Sequence, residues 1–288
     1  MSPTEAAVQE AVLPAGDGGS AGACEALQSQ ADDSVAIFQQ NWQVYQKMLA
    51  VDFLYHKTLY RAAQEVLLSH WGSGSTPAST QQQPPLAMLD LGCGDAQQVA
   101  AMLARCGAPS GALRLASYTG VDMSPPALAI AQQNLTFLQP ACAVSLLQHD
   151  MTTFVEACPP GQYDLVFASF AVHHLSLEGK ARFLAHAARC LRPGGAFVLV
   201  DIFLRQGEER GPFVARFRAY MQEAVDAGII DADEAATVMG HIEPFDFPET
   251  VPTYQHMAAE AGFAAADCLH TDPREFSRLM VLRTAAEQ

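Results

Sequence analysis

Residues 86–95 read Leu86-Ala87-Met88-Leu89-Asp90-Leu91-Gly92-Cys93-Gly94-Asp95, an apolar run that ends in two glycines one residue apart. The apolar run predicts a buried strand, and a helical pattern over 96–106 follows it. Glycines at such a turn let the backbone bend tightly and approach a ligand closely. The first N–H groups of the next helix favour an anionic group such as a carboxylate. The stretch therefore predicts a ligand site at the carboxyl end of a first strand.

The chain after this stretch alternates short apolar strands with helices, which predicts a mostly parallel sheet covered by helices on both faces. Further strands are predicted at 113–121, 144–148, 163–169, 196–202, 265–269 and 278–283, and helices at 124–138, 178–191 and 253–261. Together with the first strand, these segments form one α/β domain over 84–288.

Three other segments differ from this domain in composition. Residues 1–33 have no sustained period and predict a disordered tail. Residues 34–72 predict an N-terminal helical lid, with apolar and aromatic residues at steps of three and four, and a Gly, Ser, Gln and Pro-rich linker follows. Residues 207–250 hold ten acidic residues and three arginines, and they predict a helical insertion over the carboxyl edge of the sheet.

The glycine loop by itself fits several nucleotide binders, and neighbouring residues exclude two of them. A dinucleotide site expects a third glycine where this chain has Gln97, and no Lys-Ser or Lys-Thr pair follows to make a phosphate-binding P-loop. Asp122 ends the second predicted strand, where an acid can accept hydrogen bonds from ribose hydroxyls. Asp150 follows the third strand and can accept one from an adenine amine, or it caps the next segment.

Taken together, these motifs resemble class I S-adenosylmethionine-dependent methyltransferases over about 84–288. The resemblance also rests on Asp164-Leu165-Val166 followed after six residues by His173-His174, and on Leu191-Arg192-Pro193-Gly194-Gly195. It implies a Rossmann-like sheet of seven strands whose last strand is antiparallel, to which the patterns of 34–72 and 207–250 add an N-terminal helical cap and a helical insertion. It also implies S-adenosylmethionine as the cofactor.

The resemblance assigns site residues by their place in these motifs. Gly92 and Gly94 lie against the methionine part, Asp122 binds the ribose, and Asp150 with Met151 lies at the adenine. The segment from Ser169 to His174 faces the sulfonium. The full predicted cofactor-binding set is Asp90, Gly92, Cys93, Gly94, Asp122, Met123, Asp150, Met151, Ser169 and Trp42.

Three residues are candidates for catalysis. His173 or His174 can deprotonate an acceptor near neutral pH, or one of them only packs in the turn. Tyr45, with Trp42, can place an aromatic face near the positively charged sulfonium, where the attraction contributes about 0.5–2 kcal/mol. The alternative is that these two aromatic residues belong to the buried face of a helix.

Composition limits the partners. The net charge is −15, with 31 acidic and 16 basic residues, so we expect no nucleic acid partner. The Asn-Pro-Pro-Tyr signature of enzymes that methylate bases is absent, which favours a small-molecule acceptor. No apolar run is long enough for a membrane span. The seven cysteines lack a C-x-x-C pair, so we expect reduced thiols, no metal site and a cytoplasmic protein. The oligomeric state stays open.

Three functions remain compatible with the motifs. The first is a methyltransferase for a small-molecule acceptor. The second is a cyclase or lyase on the same cofactor, which releases methylthioadenosine and can form azetidine-2-carboxylate, because one fold supports several chemistries. The third is a cofactor-binding module without catalysis.

Overall fold

The computed structural model describes residues 42–72 and 84–286, without the side chains of Trp42, Gln43 and Tyr45. The predicted tail 1–33 and the start of the predicted lid lie outside the described residues. The strands are β1 (Leu86–Leu91), β2 (Leu115–Asp122), β3 (Ala143–Gln148), β4 (Tyr163–Ser169), β5 (Leu191–Ile202), β6 (Ala265–Thr271) and β7 (Ser277–Arg283).

From β1 to β5 single helices alternate with the strands, two described helices precede β1, and three follow β5. The helices are α1 (Trp42–Ala50), α2 (His56–Trp71), α3 (Gln97–Arg105), α4 (Pro125–Asn134), α5 (Met151–Ala157), α6 (Leu177–Cys190), α7 (Arg210–Asp226), α8 (Ala232–Phe245) and α9 (Val251–Glu260). Helix α5 was missed by the sequence analysis, because a seven-residue helix offers too short a window for its period to stand out. Within the described ranges no helix has both the length and the apolar character needed to cross a membrane.

The seven strands form one sheet in the order β3-β2-β1-β4-β5-β7-β6. All pairs are parallel except those of β7, which runs antiparallel to β5 and to β6. The predicted Rossmann-like sheet with an antiparallel last strand is therefore confirmed. The chain reverses its direction of winding between β1 and β4, which are neighbours, and a crevice opens at the carboxyl ends of such a strand pair.

Helix α2 belongs to the core of the sheet domain. Its Leu59, Ala63 and Leu67 are fully buried and share one apolar cluster with Met88 of β1 and Val198 of β5. The sequence analysis placed the whole of 34–72 in a lid set apart from the domain, and α2 differs from that expectation. The Gly-rich linker that follows α2 carries no information about where the helix docks, because docking depends on the distant strands.

The remaining part of the N-terminal segment joins the insertion in a helical cap. Met48 of α1 and Phe53 pack in one apolar cluster with Phe213 and Phe217 of α7 and Ile242 of α8. The Phe53 ring stacks on the Tyr220 ring at 4.0 Å between centroids, and the Tyr220 hydroxyl donates to the Phe53 carbonyl oxygen at 2.7 Å. The N-terminal cap and the insertion predicted from the sequence are thus a single structure.

Candidate cofactor and acceptor site

The loop after β1 has the geometry that its two glycines predict. Gly92 and Gly94 have positive φ angles of 68° and 51°, which cost L-residues with a Cβ free energy. A Cβ on Gly92 would lie 2.6 Å from the Cβ of Ala171, in the turn after β4, whereas a Cβ on Gly94 would meet no atom within 4 Å. The loop therefore packs against the β4 turn at Gly92 and leaves open space at Gly94.

The helix that follows this loop begins without a side-chain cap. Ala96 stands at the N-cap of α3 with φ at 52°, and no side chain accepts a bond there. Asp95 accepts from the N–H of Gln97 at 3.0 Å. Asp95 thus already bonds the first N–H group of α3, and the N–H groups that remain at the positive end of the helix suit the carboxylate of a bound amino acid.

Asp90 lies beneath the loop rather than on its surface. It is almost completely buried in β1, and it accepts a hydrogen bond from the Tyr118 hydroxyl of β2 at 2.5 Å. Burial raises the pKa of the Asp90 carboxyl to about 7, against the effect of the Tyr118 bond. Cys93 is also buried, and burial together with Asp90 raises the pKa of its thiol. The assignment of Asp90 and Cys93 as cofactor ligands stays a prediction.

Asp122 ends β2 and is held at both carboxylate oxygens by backbone N–H groups. Gly94 donates to Oδ2 and Ser124 donates to Oδ1, each at 2.8 Å. Burial raises the pKa of this carboxyl, while the two backbone bonds oppose the rise. Asp122 and the next residue, Met123, are half-buried, so both can meet a ligand at this edge. The two anchored oxygens retain lone pairs for a pair of hydroxyls.

Asp150 caps helix α5. Its Oδ1 accepts from the N–H groups of Thr152 and Thr153 at 3.0 and 2.9 Å. The hydrogen bonds that its side chain accepts from described residues all use Oδ1, including the one from the Thr152 hydroxyl. Both Asp150 and Met151 are half-buried at the carboxyl edge. The geometry confirms that Asp150 caps a helix, and its predicted contact with adenine through Oδ2 stays a prediction.

The segment after β4 connects the sheet to α2. The half-buried Ser169 shares a hydrogen bond with the Tyr60 hydroxyl of α2, and the next residue, Phe170, has a positive φ of 50°. The Phe170 ring lies 4.4 Å from the His56 ring, measured between centroids. His56 is buried, and burial lowers its pKa to about 4. Among the described residues, neither of its ring nitrogens has a hydrogen-bond partner. An unpaired neutral imidazole thus lies behind the turn that faces the predicted sulfonium.

His173 is buried in the 3-10 turn Val172–His174 and bonds to the carboxylate that ends β5. Its Nδ1 lies 2.5 Å from Asp201 Oδ1, and its backbone N–H donates to Asp201 Oδ2 at 3.0 Å. Burial would lower the pKa of the imidazole, but the charges of Asp201 and Asp246 outweigh burial and raise it. Asp201 therefore fixes both the orientation of the ring and its protonated Nδ1.

His174 and Asp246 complete a cluster with His173. His173 Nε2 and His174 Nδ1 lie 3.6 and 3.4 Å from Asp246 Oδ1. His241 Nε2 of α8 lies 3.7 Å from the same oxygen. His174 is partly exposed, with 30% of its side chain accessible, whereas His173 and Asp246 are nearly inaccessible. Of the two histidines predicted for catalysis, only His174 presents substantial surface.

A backbone clamp holds the segment that carries Asp246. The N–H of Phe247 donates to the His173 carbonyl oxygen at 2.8 Å, and Arg210 donates to the Asp246 carbonyl oxygen at 2.7 Å. The buried Lys180 of α6 donates to the carbonyl oxygens of Leu175 and Phe247. Burial lowers the pKa of Lys180 to about 8. These bonds fix the end of the insertion on the turn after β4.

Sequence reasoning missed four polar residues of this region: His56, Tyr60, Asp201 and Asp246. Of these four, only Asp201 could have been recognised from the sequence. An acid near the end of an otherwise apolar strand needs a polar partner when it is buried. Trp42 and Tyr45 occupy helix α1, but their side chains lie outside the described residues. Their predicted roles at the sulfonium therefore stay predictions.

The sequence around this site is similar to that of known proteins. Residues 88–195 match the family profile described as a methyltransferase domain. This match over 88–195 supports a class I S-adenosylmethionine-dependent methyltransferase domain in the chain. The ribosomal protein L11 methyltransferase of Burkholderia ambifaria is 30% identical over 158 residues, which cover 51% of this chain and 45% of that protein. The chain thus spans about half the length of the curated relatives it matches.

Solved structures share the fold of the methyltransferase domain at low sequence identity. A 1,6-didemethyltoxoflavin-N1-methyltransferase of Burkholderia thailandensis has a TM-score of 0.54 at 17% identity, over 98% of this chain and 99% of that chain. The YcgJ protein of Bacillus subtilis has a TM-score of 0.51 at 11% identity, over 79% of this chain and 100% of that chain.

S-adenosylmethionine is the cofactor of this domain. The residues at the switch point fit it in charge and in space. Open space at Gly94 admits a ligand against the backbone, and the first N–H groups of α3 that Asp95 does not bond suit its carboxylate. Asp122, anchored by two N–H groups, offers acceptors for the ribose hydroxyls.

Proposed function

We propose that this protein transfers the methyl group of S-adenosylmethionine to a small-molecule acceptor enclosed between the helical cap and the β4 turn. The observation that carries the proposal is the joined cap. The N-terminal helix α1 and the insertion helices α7 and α8 share one apolar cluster, which also contacts Phe170 of the β4 turn. A covered reaction edge favours a small acceptor over a folded protein substrate.

On the cofactor side, the chain contributes binding and orientation. Asp122 would hold the ribose, Gly94 would allow close approach of the methionine part, and the start of α3 would receive the carboxylate. When bound, S-adenosylmethionine supplies an electrophilic methyl group. The task left to the protein is to position the acceptor in line with that group and to exclude water.

On the acceptor side, the imidazoles of His56 and His174 can hydrogen-bond a polar acceptor. The unpaired imidazole of His56 lies beside Phe170, and a buried polar group without a partner costs free energy unless a ligand satisfies it. In our proposal, His56 bonds an acceptor hydroxyl or amine from the α2 side. The partly exposed His174 lies on the cap side, where its ring can hydrogen-bond the acceptor.

The test uses the purified full-length protein with S-adenosylmethionine and product analysis by mass spectrometry. One arm contains cofactor alone, a second adds pools of small phenols, amines and N-heterocycles, and a third adds ribosomal proteins. We expect S-adenosylhomocysteine to accumulate only with one of the small-molecule pools. Gly94→Ala, which fills the open space at the loop, is the matched negative control.

Other products would contradict the proposal in distinct ways. Methylthioadenosine above the spontaneous background, formed from the cofactor alone, would mean that the protein is a cyclase or lyase. Transfer to a ribosomal protein in preference to every small-molecule pool would mean a protein methyltransferase. Cofactor binding without turnover in any of the three arms would mean a binding module.

A further inference from the structure

We infer that His173, His174 and Asp246 form a binding site for one divalent transition-metal ion of the zinc type. One ligand atom of each residue lies within 4.8 Å of those of the others. Two imidazoles and a carboxylate are a donor set that Zn²⁺ prefers, and three protein ligands leave a fourth position for water or another side chain. The site differs from the expectation of no metal, which rested on cysteine spacing.

The distances in the cluster fit metal ligands better than hydrogen bonds. Asp246 Oδ1 lies 3.6 Å from His173 Nε2 and 3.4 Å from His174 Nδ1, longer than an N–H···O bond. Two ligands at about 2.0–2.2 Å from one tetrahedral ion stand roughly 3.3–3.6 Å apart. The observed separations therefore match two edges of a tetrahedral site.

Asp246 Oδ1 supplies the second, independent observation. This oxygen is buried and accepts no hydrogen bond from the described residues, although it points at two imidazoles of the turn. A buried carboxylate oxygen without a donor is costly, and a bound cation removes the cost. Lys180 does not satisfy it, because its ammonium group donates to the Leu175 and Phe247 carbonyl oxygens.

Asp201 gives His173 the orientation of a metal-binding histidine. Its Oδ1 lies 2.5 Å from His173 Nδ1, which leaves the lone pair of Nε2 directed toward Asp246. Carboxylate–histidine–metal arrangements of this kind orient the ring and raise its basicity. Metal binding through His174 Nδ1 would replace the long 3.2 Å contact of that nitrogen with the Phe245 carbonyl oxygen.

The place of the cluster suggests what the ion would do. Asp246 follows the last helix of the insertion, and the two histidines follow β4. An ion bound to all three would fasten the cap to the turn that faces the acceptor. We expect the fourth ligand to be His241, whose Nε2 is 3.7 Å from Asp246 Oδ1, or a water molecule on the exposed side of His174.

The first test is metal titration of tag-free, full-length protein after chelation and dialysis. Elemental analysis of the protein before chelation measures bound zinc, and Co²⁺ titration reports the coordination through its visible ligand-field bands. We expect one equivalent of Co²⁺ with the spectrum of a four- or five-coordinate ion, displaced by Zn²⁺. Binding of S-adenosylhomocysteine, measured in the same samples, verifies the fold of each protein.

The second test compares variants of the cluster. We expect His174→Ala and Asp246→Asn to lose the stoichiometric site, and Asp201→Asn to weaken Co²⁺ binding about 10- to 100-fold, as loss of an orienting partner does. His256→Ala, which removes an exposed histidine on α9, should leave binding unchanged.

Two results would overturn the proposal. One is a wild-type protein that binds no stoichiometric Co²⁺ or Zn²⁺ while it still binds S-adenosylhomocysteine, in which case a protonated His173 between Asp201 and Asp246 occupies the cluster. The other is undiminished Co²⁺ binding by His174→Ala, which would show that the metal binds elsewhere. Neither result depends on methyl transfer, so the proposed function can fail or succeed separately.

Discussion

The cofactor side and the acceptor side of the sheet edge are built in different ways. On the cofactor side, backbone groups make the main contacts, such as Gly94 N–H to Asp122 across 28 residues of chain. On the acceptor side, side chains from distant segments meet, such as Tyr60 with Ser169 across 109 residues and Tyr220 with Phe53 across 167. We therefore expect that the cap and its contacts can change without disturbing the local loops predicted to bind the cofactor.

The largest effect should come from the buried carboxyl under the cofactor loop. Because the folded protein raises the pKa of Asp90 from 3.8 to about 7, its contribution to stability is fully present below pH 4 and is lost as pH rises to about 7. Over that window the loss amounts to about 4 kcal/mol. Asp90→Asn should remove this dependence, so its stability relative to the wild type should rise between pH 4 and pH 7.

Urea unfolding at several pH values measures this effect. Asp267→Asn, which removes an exposed carboxylate and its surface ion pair with Arg283, serves as a control whose curve should differ from that of the wild type by less than about 1 kcal/mol. If the stability of the wild type and of Asp90→Asn changed with pH in the same way, the pKa of Asp90 would not be raised in the folded protein.

The two loop glycines should separate folding from binding. Gly92→Ala places a Cβ 2.6 Å from the Ala171 Cβ at a positive φ, so we expect a loss of stability of about 3 kcal/mol. Gly94→Ala meets no atom and should lose only about 1 kcal/mol from its φ, yet bind S-adenosylhomocysteine at least tenfold more weakly. Thermal unfolding and calorimetry measure the two quantities. Equal stability losses, or unchanged affinity in Gly94→Ala, would refute this division.

Asp122 should affect binding more than folding. In Asp122→Asn, one of the two N–H groups that anchor the carboxylate loses its acceptor, and the ribose loses a charged partner. We expect S-adenosylhomocysteine to bind about 10- to 100-fold more weakly, which corresponds to about 1.5–3 kcal/mol. Calorimetry tests this, with Asp267→Asn again as control. An affinity within twofold of the wild type would exclude Asp122 from the ribose site.

The smallest effect on stability should come from the acceptor side. His56→Phe keeps a ring against Phe170 and removes two unpaired nitrogens, so the protein should gain about 1 kcal/mol of stability. Turnover of the acceptor found by the screen should fall at least tenfold, while affinity for S-adenosylhomocysteine stays constant. The exposed His256, replaced in His256→Phe, is the control. Full turnover in His56→Phe would rule out contact between His56 and the acceptor.

The sequence predicted the sheet well because its signals are local. Each strand is a short apolar run, and the glycines at 92 and 94 take the positive φ angles that a tight strand-to-helix turn requires. Asp122 could be placed at the ligand edge because the carboxyl ends of parallel strands share one edge. Asp90 lies in the predicted first strand, but its hydrogen bond with Tyr118 was not predicted.

The sequence did not predict where α2 docks, or which carboxylates meet the two histidines. Nothing local distinguishes Asp246 from the nine other acids of the insertion. Asp246 reaches the histidines because two hydrogen bonds hold its segment there. The Phe247 N–H donates to the His173 carbonyl oxygen, and Arg210 donates to the Asp246 carbonyl oxygen.

The sequence by itself determined the fold, the cofactor loop and the acids at the strand ends, because short-range periodicity and backbone geometry encode them. Only the tertiary structure decided that α2 belongs to the core, that α1 and the insertion form one cap, and that His173, His174 and Asp246 meet. The physical reason is that those features are contacts between side chains from distant segments. Their partners are selected by packing across the whole domain, which no local pattern records.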